Sequence, residues 1–236
     1  GGAWQAGQQG AFAPLEDSSQ PLERRFDSTQ RYSKTDGETL SAFGQLSWKV
    51  VPKVEVAAGV RYTHETKESI LYQEYVNAAL QGLFIQYDPT DPSTYVVGDQ
   101  TFTNWSPEAT ITWQPSDEVT VYGAYKTAYK SGGFSNSALV TALTTPSDIA
   151  FEPEKAKGFE GGIKTTLLDR QLRFNVAAYS YKYTNLQIDY FNSITFQFIT
   201  TNAGSATTKG VEFETEFAPR AIPGFTARAV LAYNKA

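Results

Sequence analysis

Alternate positions in this chain are apolar over runs longer than most soluble sheets use. Leu40, Ala42, Gly44, Leu46, Trp48 and Val50 alternate with Thr39, Ser41, Phe43, Gln45, Ser47 and Lys49. After Pro52-Lys53 the pattern resumes with Val54, Val56, Ala58, Val60 and Tyr62 against Glu55, Ala57, Gly59, Arg61 and Thr63. Successive side chains of a strand point to opposite faces, so each run is a strand with one oily and one wet face. Soluble strands commonly stop after about 5–6 residues. A wall with hydrocarbon on one side and water on the other accounts for both the length and the alternation.

The connections between these runs also alternate. Val51 to Lys53, Pro115 to Asp117, Leu168 to Arg170 and Ala218 to Gly224 are short, whereas Lys67 to Gln100, Lys130 to Pro153 and Asn185 to Gly204 are long. In an up-and-down barrel this collects every tight turn at one rim and every long loop at the other. Further strands are expected around Trp105 to Trp113, Val119 to Tyr125, Phe159 to Leu167, Leu172 to Ala178, Val211 to Phe217 and Phe225 to Tyr233. Pro107 interrupts the third of the eight and predicts a bulge or break, because proline removes a ladder donor. Past Ala178 the row Tyr179, Tyr181, Tyr183 leaves the register of the sixth strand open. Residues 1–38 read as loop or extended chain, and Ile70 to Tyr87 as a protruding hairpin or short helix.

Composition agrees with a barrel wall. Mean hydropathy is −0.37 although 41% of residues are hydrophobic, so no run approaches the ~20 apolar residues of a membrane helix. The face Glu212, Glu214, Glu216 backs Val211, Phe213, Phe217, which suits a wet lumen and would be very costly in a dry sandwich. Net charge of −5 argues against nucleic acid as partner. Cysteine and methionine are absent and His64 stands alone, so neither a disulfide framework nor a thiolate metal site is expected, and no cofactor. No catalytic constellation is expected either: Gly158-Phe159-Glu160-Gly161-Gly162 lacks the serine of a nucleophile elbow, and His64 reads as a rim residue.

Several short motifs now gain meaning together. Ala42-Phe43-Gly44-Gln45, Gly59-Val60-Arg61-Tyr62, Tyr129-Lys130-Ser131-Gly132-Gly133-Phe134, Phe151-Glu152-Pro153-Glu154, Gly162-Ile163-Lys164, Asn202-Ala203-Gly204 and Gly210-Val211-Glu212 stand in this order. From about Thr39 onwards the chain resembles the barrel of TonB-dependent outer-membrane receptors. That resemblance implies an all-β, antiparallel, transmembrane barrel of 22 strands, of which residues 1–236 are about eight consecutive ones. It also implies a Gram-negative outer-membrane location and energised uptake of a scarce ligand, such as a ferric siderophore, haem, cobalamin or a sugar. Expected partners are outer-membrane lipid, the small-molecule ligand, and TonB acting through a plug and contact segment not recognisable here. A middle slice of a wall leaves unpaired edges, which lipid does not tolerate, so a longer intact protein is expected. A passive porin-like barrel and a soluble carbohydrate-binding β protein are the alternatives.

On this reading Arg61, Glu108, Lys126, Glu160, Lys164, Glu212 and Glu214 face the lumen, the carboxylates paired with cations or water. Candidate ligand-binding residues are Tyr129, Lys130, Phe134 and Asn136 at the base of the second long loop, with Tyr87 and Tyr95 in the first. Aromatics and cations at a mouth suit an anionic or aromatic chelate, and the same rings also serve as interface anchors or loop packing. Gly132-Gly133 reads as a strand-to-loop transition that needs permissive backbone angles.

Overall fold

The computed structural model describes residues 5–6, 16–193 and 197–236. Eight long strands follow one another: β1 (Thr29–Val51), β2 (Val54–Tyr75), β3 (Val96–Ser116), β4 (Val119–Lys130), β5 (Glu154–Leu167), β6 (Leu172–Asn192), β7 (Gln197–Phe217) and β8 (Ala227–Lys235). Each pairs antiparallel with the next, and Gln5–Ala6 adds a short ninth strand beside β1. The sheet is open, with its strands in sequence order.

Cross-strand register assigns the faces. Val56 pairs with Ile111, Tyr125 with Phe159, and Val211 with Ala178 and Tyr233, so the apolar series of neighbouring strands share one side. The exposed Leu40, Leu46, Val60 and Ile163 belong to that side. Rings meet across strands there: Tyr62 and Trp105 lie 4.8 Å apart, Tyr125 and Phe159 5.1 Å, Phe174 and Phe213 4.8 Å. Trp113 is opposite Val54 beside a short turn, and Trp105 opposite Tyr62 higher up. Those two levels are about 27 Å apart along the strand, or roughly 20 Å after barrel tilt, which matches an apolar band edged by aromatic girdles. Strands such as Thr29–Val51 and Leu172–Asn192 continue far past that band, on the side of the long connections.

The short connections tighten by known devices. Lys53 has φ of 74°, and the turn Leu168-Asp169-Arg170 has φ of 54°, 54° and 68°. These left-handed angles turn the chain within a few residues. Register shifts occur between Lys49 and Val51 and between Trp113 and Ser116, beside the turns, where one extra residue increases local twist.

Several expectations are corrected. The first strand begins at Thr29, so within the stretch expected as loop or extended chain residues 29–38 are extended and belong to the wall. Most of residues 1–15, expected as loop, lie outside the described residues. The first long connection is much shorter than Lys67 to Gln100: β2 runs on to Tyr75 and β3 starts at Val96, so Ile70 to Tyr75 is strand. Between them lie two single 3-10 turns, Ala78–Leu80 and Pro92–Thr94, and an isolated bridge between Gln81 and Phe84. Asn185 to Gly204, expected as an extended connection with a strand-like hairpin bent near Asn192-Ser193, is the tall end of the β6–β7 hairpin, with Asn192 paired to Gln197, since polar side chains do not end a strand above the membrane. Tyr179, Tyr181 and Tyr183 keep the β6 register and sit on the wet face.

Pro107 makes no bulge against β2, where Val60 pairs with it in continuous register. Its effect falls on the other side. Pairing of β3 with β4 ends at Glu108 and Lys126, and Thr127 Oγ1 donates to the Pro107 carbonyl at 2.8 Å as the last link. Above that point β3 stays paired with β2, and β4 with β5, while the ladder between β3 and β4 is open.

Candidate functional site

The residues from Ser131 to Pro153 leave the wall between β4 and β5 and fold back across its wet face as a strap. The wet face is the one carrying Glu55, Arg61, Lys67 and Leu71 on β2, opposite Thr112, Ser106, Gln100 and Val96 on β3. Phe134 lies on Gly98 of this face, where a Cβ would fall 2.8 Å from Phe134 Cδ1 and closer still to Cε1. Phe134, Ala138, Val140 and Ile149 of the strap join Leu71 and Val96 in a small apolar core. Apolar burial of this kind holds a connection down without help from the membrane.

Polar ties fix the strap on both flanks. Lys67 donates to Ser131 Oγ and to the Gly132 carbonyl, both at 2.7 Å, and pairs with Glu65 at 3.1 Å. Arg31 on β1 donates to the Ser137 carbonyl at 3.0 Å and to Gln73 Oε1 at 3.1 Å, and Val140 N–H shares that same oxygen at 3.3 Å. On the far flank Gln187 of β6 donates to the carbonyls of Ser131 (2.8 Å) and Glu152 (3.1 Å). Asn202 of β7 accepts from Glu152 N–H at 2.6 Å and donates to the carbonyls of Glu152 and Asn185 at 2.8 and 3.0 Å. A single asparagine thus satisfies three backbone groups, a reason for the Asn-Ala-Gly and Phe-Glu-Pro-Glu motifs to occur together.

Within the strap a four-residue helix, Pro146–Ile149, starts with Thr145 N–H and Oγ1 both donating to the Asp148 carboxylate at 2.8 and 2.7 Å. These bonds lower the Asp148 pKa below its ordinary 3.8. Gly133–Phe134 pairs with Ala150–Phe151, closing the strap on itself.

Below the strap, register puts Arg61, Glu108, Lys126, Glu160, Lys164, Glu212 and Glu214 all on the wet face. Lys126 pairs with Glu160 at 3.1 Å, which also accepts from the Tyr181 hydroxyl at 2.8 Å. Arg61 and Lys164 take other partners: Arg61 donates to Ser41 and sits 6.0 Å over the Phe43 ring, and Lys164 lies 5.4 Å over Tyr122. The rings of Tyr122, Tyr179 and Tyr181 lie against glycines, where Cβ atoms at Gly162, Gly210 and Gly158 would come within 2.8, 2.5 and 2.6 Å of them. Aromatic cover of strand glycines pins register. Tyr122, Lys164, Asn175, Glu212 and Glu214 border a recess of about 520 Å³ on this face.

The six candidate ligand residues are not brought together. Tyr87 stacks on Tyr72 at 4.1 Å and meets Tyr95 at 5.7 Å, and Tyr72 stacks on Tyr32 at 5.0 Å. Tyr32 and Tyr72 follow the alternation of Leu40 and Val60, so this stack lies on the outer side of the wall, above the apolar band, and does not face the lumen. Phe134, 8% exposed, is core rather than contact surface. The Tyr129 hydroxyl is buried. Lys130 is exposed opposite Glu154 at the end of β4, and Asn136 is exposed on the strap beside Thr35. Gly132 and Gly133 adopt no left-handed angle. A Cβ at Gly132 would strike the Phe151 carbonyl and sit 2.8 Å from Phe102 Cζ, so close approach, and not backbone freedom, requires glycine there. Sequence reasoning missed Arg31, Lys67, Gln73 and Gln187. Their signal was present only as charged or amide residues at wet-face positions beyond the apolar band.

Residues 1–236 match the family described as TonB dependent receptor-like, beta-barrel. Among solved structures, the chain is similar to the ferric yersiniabactin uptake receptor FyuA from Yersinia pestis, at 19% identity and a TM-score of 0.67 over 89% of this chain and 29% of that one. It is also similar to the copper transporter OprC (15% identity, TM-score 0.58, 89% of this chain and 30% of that one). A third is the ferric-catecholate import receptor Fiu from E. coli K12 in its closed form (16%, 0.54, 86% and 29%). At these identities the likeness concerns the fold, and the chain spans less than a third of each of those proteins.

Proposed function

The chain belongs to the TonB-dependent receptor β-barrel family, whose barrels lie in the Gram-negative outer membrane, and we propose that it is part of a receptor that takes up a scarce ligand such as a ferric siderophore, energised through TonB. In this reading further strands continue the open sheet into a closed barrel, since unpaired edges are not tolerated in lipid. The rim with the long connections faces the outside, and ligand enters over the strap. The protein captures and releases cargo and breaks no bonds.

The observation that carries the reading is the strap itself. A connection pinned across the wet face, over Leu71, Val96 and Gly98, narrows the mouth of the lumen, as uptake of selected ligands requires and a wide passive channel does not. FyuA and Fiu, named for ferric yersiniabactin uptake and ferric-catecholate import, support a ferric chelate as the ligand class.

The test uses the full-length gene. Its deletion should remove uptake of labelled ferric chelates under iron limitation, and loss of TonB should have the same effect with the gene intact. The purified protein should need detergent and change gel mobility on boiling. Uptake that persists without TonB would make it a passive pore, and detergent-free solubility with boiling-independent mobility would remove it from the membrane.

A further inference from the structure

Arg31 is a buried cation that this chain supplies with no anion. Its side chain is 8% exposed on the wet face of β1, under the strap. Its two bonded nitrogens donate to neutral oxygens, the Ser137 carbonyl and Gln73 Oε1, and its Nε, also buried, has no acceptor. Every Asp and Glu of the chain is among the described residues, and none pairs with Arg31. Burial alone lowers its pKa from the ordinary guanidinium range to about 10, so it remains charged at neutral pH.

Such an arrangement is a poor way to fasten a strap. An unpaired guanidinium forfeits hydration that neutral acceptors only partly replace, and an apolar residue of similar volume would often stabilise as well or better. A buried, uncompensated charge beneath a surface strap is better explained by a ligand that completes it. The cover above Arg31 is thin. Asn136 and Ser137 are exposed, and Asn136 is tied to Thr35 only through long contacts of 3.4 and 3.5 Å.

We propose that Arg31 is an oxyanion subsite of the receptor mouth, which takes a carboxylate or phosphate group of the ligand in a forked, charge-assisted contact. The arriving anion replaces the Ser137 carbonyl and Gln73 Oε1 on the guanidinium, and residues 136–137 shift aside. The exchange strands no buried acceptor: Ser137 is exposed, and Gln73 Oε1 keeps the Val140 N–H. Arginine suits this role because its planar fork matches two oxygens at once, which lysine cannot do. The inference rests on the strap marking the ligand mouth and adds the chemistry that the mouth selects.

Equilibrium dialysis of the full-length receptor in detergent against radiolabelled inorganic phosphate, and separately against citrate, tests this without any transport step. At least one probe should bind the wild type, and the one that binds identifies the oxyanion. Arg31→Met should weaken binding about tenfold or more, the scale of losing a hydrogen bond to a charged group. Arg31→Lys should fall between, and it replaces the Met variant if that one does not show the folded, unboiled gel mobility. Amide exchange over residues 135–140 should rise with the probe in the wild type only. Binding of neither probe, or equal binding by wild type and variants, overturns the assignment. Failed uptake with intact Arg31-dependent binding would count against the transport reading alone.

Discussion

Gly98 and Phe134 are from different elements yet occupy one volume, so their substitutions should be strongly non-additive. A methyl group at Gly98 would sit 2.8 Å from Phe134 Cδ1 and closer to Cε1, inside any real carbon contact. Gly98→Ala must therefore push the ring, and with it the strap, off β3, at about 1–3 kcal/mol for overpacking. Phe134→Ala removes most of a buried ring from the core with Leu71, Val140 and Ile149, at about 3–5 kcal/mol if the site does not collapse. Once the ring is gone, the alanine at 98 meets open space and should cost almost nothing. The coupling between the two is then about 1–3 kcal/mol, well outside the ~0.5 kcal/mol expected of independent sites. The assay is native-state amide exchange in the full-length receptor, read at Ser135, whose N–H donates to the Ile149 carbonyl at 2.6 Å and reports strap opening. Equal costs of Gly98→Ala in the wild-type and Phe134→Ala backgrounds would refute the packing argument.

Lysine at Val56, Ile111 or Val211 should block assembly, at about 2–4 kcal/mol each near mid-membrane, whereas lysine at Thr110 or Thr166 on the other face should be mild. Heat-modifiable gel mobility reads the difference, and equal tolerance would overturn the facing. Asn202→Ala hands the exposed Glu152 N–H and two carbonyls to water, so the start of β5 should exchange faster by about 0.5–1.5 kcal/mol of opening free energy. Thr145 holds the folded Asp148 pKa below 3.8, so that carboxylate's support of the strap helix is complete above that value. It is lost as pH falls through the lower, folded value, and exchange over residues 145–149 should rise only under strong acid; a rise near neutral pH would contradict the assignment.

The wall was readable because the bilayer imposes a strict period: Leu40 to Val50 and Val211 to Phe217 could face only one way. Strand ends were not, because above the membrane both faces are wet and the alternation that marks a strand disappears. Thus Thr29 to Asp36 and Ile70 to Tyr75 are fully paired yet carry no apolar period. The site was legible in part. With Tyr129 at its base, the Lys130 to Pro153 connection carries four of the six candidate residues, but Phe134, expected at the mouth, packs in the core, and close approach instead of permissive backbone angles accounts for Gly132. Tyr87 and Tyr95 lie on the outside because strand extension past Lys67 carries the first loop to the top of the wall, and no local signal marks that displacement. Arg31 carries no local sequence signal, since an unpaired charge is a property of its neighbours in space.

The open ladder above Pro107 divides the upper wall into two leaves, with β1 to β3 on one side and β4 to β8 on the other. Ser131 stitches them. Its hydroxyl is gripped by Lys67 from one leaf and its carbonyl by Gln187 from the other. Load applied to either leaf therefore travels through the strap's side-chain ties, the two oxygens of Ser131 among them with Arg31 on one leaf and Asn202 on the other, instead of a row of strand bonds, and whatever tugs the strap sets both leaves moving in concert.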